Sequence, residues 1–289
     1  MTSTLAVAGP QPAKGAILCA DDFAVHQSAS EGIAELARLQ RISATSAMVL
    51  SPRWAQDVAL LQDLRGKIDV GLHLDWTSEF AQAAGHGLSL GAAMRRAVLG
   101  GFDLAQAAGV IERQLDLFEL HWQALPDYVD GHQHVQQFAG IRQALVSVLL
   151  RRYGSMPVKP YLRLSRPPAG TADLKGRVIA WMGASALEKI AIDAGIKRAT
   201  ALLGIHDFSG TPAHYARLMA RWLAQAPPGA IIMCHPAQAC EPGDEIGVSR
   251  VQEFAYLAGM AFPQALRAAG VVLARGQDVL AGPLKSAGD

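Results

Sequence analysis

The chain has 289 residues, 51% of them hydrophobic and 18% charged, with a formal net charge of +1. That length and apolar content suit one α/β barrel with a large core. The near-neutral charge and the lack of basic runs argue against nucleic acid or an acidic membrane surface as a partner.

Residues 1–14, containing Pro10 and Pro12, read as a flexible leader. They lack the basic start and full apolar stretch of a signal peptide. No apolar run elsewhere is long enough to span a bilayer. Residues 15–289 read as one domain in which strand and helix patterns alternate. Strand Gly15–Ala20 leads to helix Ser28–Arg41, whose apolar positions are Ile33, Leu36 and Leu39. Strand Ala44–Leu50, helix Trp54–Leu64 and strand Ile68–Leu72 follow. Residues 77–101, rich in Gly and Ala, read as an inserted loop with a short helix. Asp103–Leu125 places Ile111, Leu115, Phe118 and Trp122 on one face, as an amphipathic helix does. Next come strand Tyr128–Asp130, helix Ile141–Tyr153, strand Tyr161–Leu164 and a helix over about Asp173–Ala194. The pattern closes with strand Ala199–Ile205, helix Pro212–Gln225, strand Gly229–Cys234, helix Ser249–Ala269 and strand Val271–Leu273. Ser249 and Gln252 have the spacing of a capping box. Such alternation predicts parallel strands joined by crossover helices, closed or nearly closed into a barrel.

In a parallel barrel the reacting groups lie at the C-terminal ends of the strands. Those ends carry Asp21 and Asp22, His73 and Asp75, Asp130 and His132, Arg163, His206 and Asp207, and His235. Carboxylate and imidazole groups gathered this way are what a catalytic divalent metal needs. Singly each has a plainer reading: Asp21-Asp22 as a helix cap, His73 as a core histidine, Arg163 as a surface residue, His235-Pro236 as a turn. In Asp130-Gly-His-Gln-His134, His132 and His134 share a side if the strand continues, and only one need be a ligand. Three cysteines, Cys19, Cys234 and Cys240, form neither an even set nor a Cys-x-x-Cys pair, which fits a reduced, cytoplasmic protein. Cys19 and Cys234 read as small hydrophobes within apolar strands.

Four segments in order, Ala20-Asp-Asp-Phe23, Gly71-Leu-His-Leu74, Asp130-Gly-His-Gln-His-Val135 and Met233-Cys-His-Pro236, resemble the carbohydrate deacetylases of the YdjC-like family. Arg250-Val-Gln-Glu253, with Arg and Glu three apart, adds to the likeness, which runs from about Ile17 to Leu273. The resemblance implies a single-domain distorted TIM-like (β/α) barrel, related in design to polysaccharide deacetylases of the NodB type. The chain departs from the family at Ala24, where a Gly is usual, at Gln133 and Gln136, which replace histidines, and at Asp75, followed by Trp76.

With that resemblance, Asp22, His73 and His132 are expected to hold one divalent metal ion, Zn²⁺ or Mg²⁺. Asp21 is the expected general base, His235 the general acid, and Arg163 the cation that keeps Asp21 ionised. The expected reaction removes an N-acetyl group from an amino sugar, chitooligosaccharide-like or glycolipid-linked. Asp75, Trp76 and His206 are candidate substrate contacts, with residues 77–101 as a lid; the plainer alternative has Asp75 capping a turn and Trp76 packed beneath the insertion. Two other functions stay open: a barrel hydrolase of another amide, formamide or ester, and an inactive sugar-binding homologue. The expected partner is a small molecule or oligosaccharide, and a homodimer is allowed.

Overall fold

Residues spaced two apart along parallel strands build the centre of this protein. The computed structural model describes residues 14–168, 170–171 and 174–280. The leader read at 1–14 therefore lies outside the described residues, save for Lys14. Among the described residues eight strands form one parallel sheet: β1 (Lys14–Phe23), β2 (Ala44–Ala47), β3 (Asp69–Leu74), β4 (Tyr128–Gly131), β5 (Tyr161–Leu162), β6 (Leu202–Leu203), β7 (Ile231–Cys234) and β8 (Val271–Leu273). Their order is β5-β4-β3-β2-β1-β7-β6, and β8 pairs with the first residues of β1. A bridge between Leu162 and Arg198 draws the segment before β6 alongside β5. The sheet thus curves into a distorted TIM-like barrel, as the alternation predicts.

The helices are α1 (Gln27–Arg38), α2 (Trp54–Asp57) running into a 3₁₀ segment Val58–Leu64, α3 (Glu79–Ala83), α4 (Leu90–Val98), α5 (Leu104–Trp122), α6 (Ile141–Tyr153), α7 (Leu174–Trp181), α8 (Ala184–Asp193), α9 (Pro212–Gln225), α10 (Gly247–Ala258), α11 (Ala261–Ala269) and α12 (Gly276–Val279). No helix among the described residues is long and apolar enough to cross a membrane. The main core, including Leu18, Ile33, Leu72, Phe118 and Leu223, is built from helix faces and the alternate strand positions that meet them. A second, smaller cluster of Ile17, Cys19, Ala44, Tyr128, Tyr161, Ile231 and Met233 fills the barrel.

Several elements differ from the sequence expectation. The helix expected over 173–194 breaks at Gly183, whose φ of 132° no helix accommodates, and becomes α7 and α8. The helix expected over 249–269 breaks near Gly259. Its first part starts at Gly247, so Ser249 lies inside the helix and donates to Glu253 at 3.4 Å rather than capping it. The insertion carries two helices, capped by Ser78 and Ser89, in place of one. Strand Ala199–Ile205 shrinks to β6, which ends where Gly204 turns at φ 96°. The strand through Asp130 does not continue: Gln133 and His134 take φ values of 51° and 64°, which end it.

The Asp75-Trp76 pair holds the insertion down. Asp75 Oδ1 accepts from the backbone N–H groups of Thr77 and Ser78, at 3.0 Å each, and the Ser78 hydroxyl donates to Oδ2. Trp76 is 2% exposed and packs edge-on against His86 and Phe102. That is the geometry of the turn cap and packed ring.

Two stability effects follow. At Gly71 an added Cβ would stand 2.5 Å from the Tyr128 ring, which stacks on Tyr161 with centroids 5.0 Å apart. Gly71→Ala should destabilise by about 1–3 kcal/mol through overpacking, seen as a lower urea midpoint at constant slope. Trp76→Ala should cost about 3–5 kcal/mol as a buried-aromatic deletion. A Trp76→Ala protein that melts like the parent but binds sugar poorly would instead put Trp76 in the cleft.

Candidate active site

The inward parity of the strands delivers most of the site. Two residues beyond interior Cys19, Ala44, Gly71, Tyr128, Tyr161 and Met233 stand Asp21, Ser46, His73, Asp130, Arg163 and His235. Side chains two apart share a face, so the strands that pack apolar groups inside the barrel present polar ones at its C-terminal mouth.

Asp22 breaks that parity. Between Ala20, paired with Thr45, and Phe23, paired with Ala47, β1 takes three steps against two on β2. This is a bulge, and Asp22 within it has φ 67°. A bulge re-aims a side chain, so two consecutive aspartates serve one site. Ala24 also holds a left-handed φ, of 72°. On the other side the turn at Gln133 and His134 parts the two histidines. His132 faces Asp22, while His134 Nδ1 pairs with Ser165 Oγ at 3.0 Å.

Asp22 Oδ1 stands 3.2 Å from His132 Nδ1 and 3.4 Å from His73 Nε2. Donors bound at roughly 2.0–2.1 Å to a tetrahedral ion lie about 3.3 Å apart, so these three groups fit a divalent metal. Two hydrogen bonds orient them. Arg250 Nη2 donates to Asp22 Oδ2 at 2.7 Å, leaving Oδ1 for the histidines. His73 Nδ1 meets Asp130 Oδ1 at 2.6 Å, which turns Nε2 toward Asp22. Cys19, Asp21 and Asp130 also bring donor atoms within 4.8 Å of one another. There, however, a cation is built in: Arg163 Nη1 lies 2.6 Å from Asp21 Oδ1 and 2.9 Å from Asp130 Oδ2.

Charge pairing overrides burial in this cluster. Burial pushes the Asp21 carboxyl up, but Arg163, His73 and His235 hold it well below the usual carboxylate range. Asp22 is likewise held down against its burial by Arg250 and the two histidines. His73 is buried, which lowers it, yet Asp130, Asp22 and Asp21 together raise it to about 10. Burial, aided by Arg163, pushes His134 down to about 3. His235 is lowered by burial, and its Nε2 is 3.9 Å from Asp21 Oδ2.

Cys19 is not the inert hydrophobe its sequence setting suggests. Its Sγ lies 3.2 Å from Asp21 Oδ1 and 3.0 Å from the Tyr128 hydroxyl, and burial raises the thiol. His206 is 8% exposed and turned to Glu253 at 3.1 Å, among Tyr215 and Trp222. Its place is behind His235, through Glu253, rather than beside Asp22, His73 and His132. The strand-end rule misses Ser46, whose hydroxyl donates to Asp130 at 2.6 Å, and Arg250 and Glu253 on α10. The Arg-x-x-Glu spacing is visible in the sequence, but nothing local says which residues it meets.

The YdjC-like protein family matches residues 15–268. Comparison with curated protein sequences finds none that matches. Among solved structures, a candidate cellobiose-phosphate cleavage protein from Enterococcus faecalis V583 is 17% identical, with a TM-score of 0.70 over 93% of this chain and 99% of that one. It shares the fold. The Xyl-CE4 domain of a multidomain xylanase from the hindgut metagenome of Trinervitermes trinervoides is more distant, 8% identical with a TM-score of 0.49 over 93% and 90% of the two chains. With its barrel and nearly all of its length matched, this chain belongs to the YdjC-like protein family.

Proposed function

We propose that this chain is a metal-dependent carbohydrate deacetylase, hydrolysing the N-acetyl group of an amino sugar to acetate and a free amine. One observation carries the reading. A two-histidine, one-carboxylate donor set converges in one barrel mouth with an ionised aspartate clamped by arginine and an imidazole 3.9 Å from that aspartate. Family membership supports the carbohydrate substrate class.

Asp22, His73 and His132 would hold the ion. Two nitrogens and one oxygen suit Zn²⁺ better than Mg²⁺, which prefers oxygen ligands. When bound, the ion supplies Lewis acidity, making a water nucleophilic near neutral pH and polarising the acyl oxygen. Asp21 takes the water's proton at Oδ2, since Arg163, Cys19 and Ser46 all address Oδ1. Arg163 keeps that carboxylate charged and fixed in direction. His235 Nε2, which faces Asp21 Oδ2, takes over the proton that Asp21 has removed from the water and delivers it to the leaving nitrogen as the C–N bond breaks. Neutral His134, second in line behind the turn, orients Ser165 and carries no proton in the reaction.

Acetate release from N-acetylated sugars should be abolished by chelator and restored by Zn²⁺; chelator-insensitive release would sink the metal reading. His73→Ala and His132→Ala should lose both bound metal and activity, whereas His134→Ala should be milder. Elemental analysis showing full metal in the first two would remove them from the ligand set. Asp21→Asn should keep its metal and lose roughly 10²–10⁴-fold in turnover. His235→Ala should also keep its metal, with a smaller loss on an acetyl ester whose leaving group needs little protonation. Equal losses on amide and ester would make His235 a binding residue.

A pH dependence follows from His73. Its raised value means that, without metal, it stabilises the fold fully below about 6.5 and loses that contribution as pH rises through about 10. Chelator-treated protein should therefore weaken over this interval, by up to about 1.4 kcal/mol for each pH unit crossed. His73→Gln should remove that component, as urea melts of the two proteins at each pH would show.

A further inference from the structure

Helix α10 reaches the site with two side chains three residues apart. Arg250, 4% exposed, donates to Asp22 Oδ2 at 2.7 Å and, through Nε, to Asp244 Oδ2 at 2.8 Å. Glu253 is fully buried. Its Oε2 accepts from the backbone N–H of His235 at 2.6 Å and from the Tyr215 hydroxyl at 3.3 Å, and its Oε1 faces His206 Nε2 at 3.1 Å.

What each partner lacks makes these contacts informative. Asp22 sits in the bulge at φ 67°, a conformation that strand pairing does not hold. Without a donor on Oδ2 its carboxylate could swing or turn both oxygens toward a cation. Among the described residues nothing hydrogen-bonds the His235 ring. Its Nε2 is 3.9 Å from Asp21 Oδ2, beyond hydrogen-bond range, and its Nδ1 is buried without a protein partner among the described residues. The ring also makes an edge contact with Phe208, at 5.1 Å between centroids, and the backbone N–H of His235 is bound at 2.6 Å. Glu253 holds that backbone.

We propose that Arg250 and Glu253 are positioning residues on one helical face. Arg250 presents Asp22 to the metal through a single oxygen, and Glu253 sets the place of His235. Residues three apart on a helix are neighbours, so one turn of α10 fixes the spacing between metal ligand and proton donor. This rests on the hydrolytic reading above.

The test uses the full-length protein loaded with Zn²⁺, with zinc titration and two acetylated substrates, an N-acetyl amino sugar and an activated acetyl ester. Arg250→Gln should raise the zinc Kd by roughly 10–100-fold. Once saturated with zinc it should keep the parent's ratio of amide to ester turnover. Arg250→Lys, which keeps the charge but not the fork, should fall between. Glu253→Gln should leave the zinc Kd within about 3-fold, yet lose about 10-fold more on the amide than on the ester, the loss scaling with the demand for proton donation. Glu253→Asp, which keeps the charge but retracts it, should show the same bias. Thermal melts establish that each variant folds.

An unchanged zinc Kd in both Arg250 variants would overturn the first half. Equal amide and ester losses in both Glu253 variants would overturn the second and leave Glu253 a packing residue. A parent protein that binds zinc but releases no acetate from any substrate would instead fail the functional reading and Glu253's role with it, while zinc affinity would still decide that of Arg250.

Discussion

Everything at the barrel mouth depends on how carboxyl groups are buried there. Asp21, Asp22, Asp130 and Glu253 are each at most 2% exposed, and a carboxylate taken from water is tolerated only against cations or several donors. Arg163 meets Asp21 and Asp130, Arg250 meets Asp22 and Asp244, and Glu253 collects donors from His235, Tyr215 and Ser249. The pairing is also selective by atom. It occupies Oδ1 of Asp21 and Oδ2 of Asp22 and leaves the opposite oxygens to face His235 and the two histidines. The contacts that make the cluster stable therefore also aim it.

Local strain supplies what strand parity cannot. A regular β1 would send Asp21 and Asp22 to opposite faces, one into the barrel and one toward the helices. The bulge with Asp22 in a left-handed conformation costs of order 1–3 kcal/mol, offset by its pairing with Arg250 and the histidines. Gln133 and His134 do the same after β4, turning the chain so that His132 meets Asp22 and His134 is diverted to Ser165. Left-handed residues cluster at both edges of the donor set, as expected where backbone shape serves chemistry.

The division between visible and hidden residues follows sequence distance. Asp21, His73, Asp130, Arg163 and His235 each stand two residues past an interior position of their own strand, so period and strand ends point to them without any tertiary information. Arg250 and Glu253 come from a helix more than two hundred residues after Asp22. Ser46 sits in a short Ala-Thr-Ser-Ala strand that looks structural. Cys19 lies in an apolar run, and only the approach of β4 and the end of β5 across the barrel brings Tyr128 and Arg163 to it. For Asp75 and Trp76 the sequence gives the residue types, and only the closed fold shows Asp75 accepting from the turn at Thr77 and Ser78 and Trp76 packed against His86 and Phe102.

By itself the sequence determined the parallel α/β alternation, the barrel class and the strand ends at which charged groups gather, because hydrophobic period and turn chemistry are local properties. It also carried the family likeness in four short segments. Tertiary structure alone decided where the long helices break, that His134 turns away to Ser165, and that Arg250 meets Asp22. Those outcomes depend on a one-residue bulge, on left-handed residues that no periodicity announces, and on ion pairs between groups far apart in the chain. Burial sets their energies, and burial exists only once the barrel has closed.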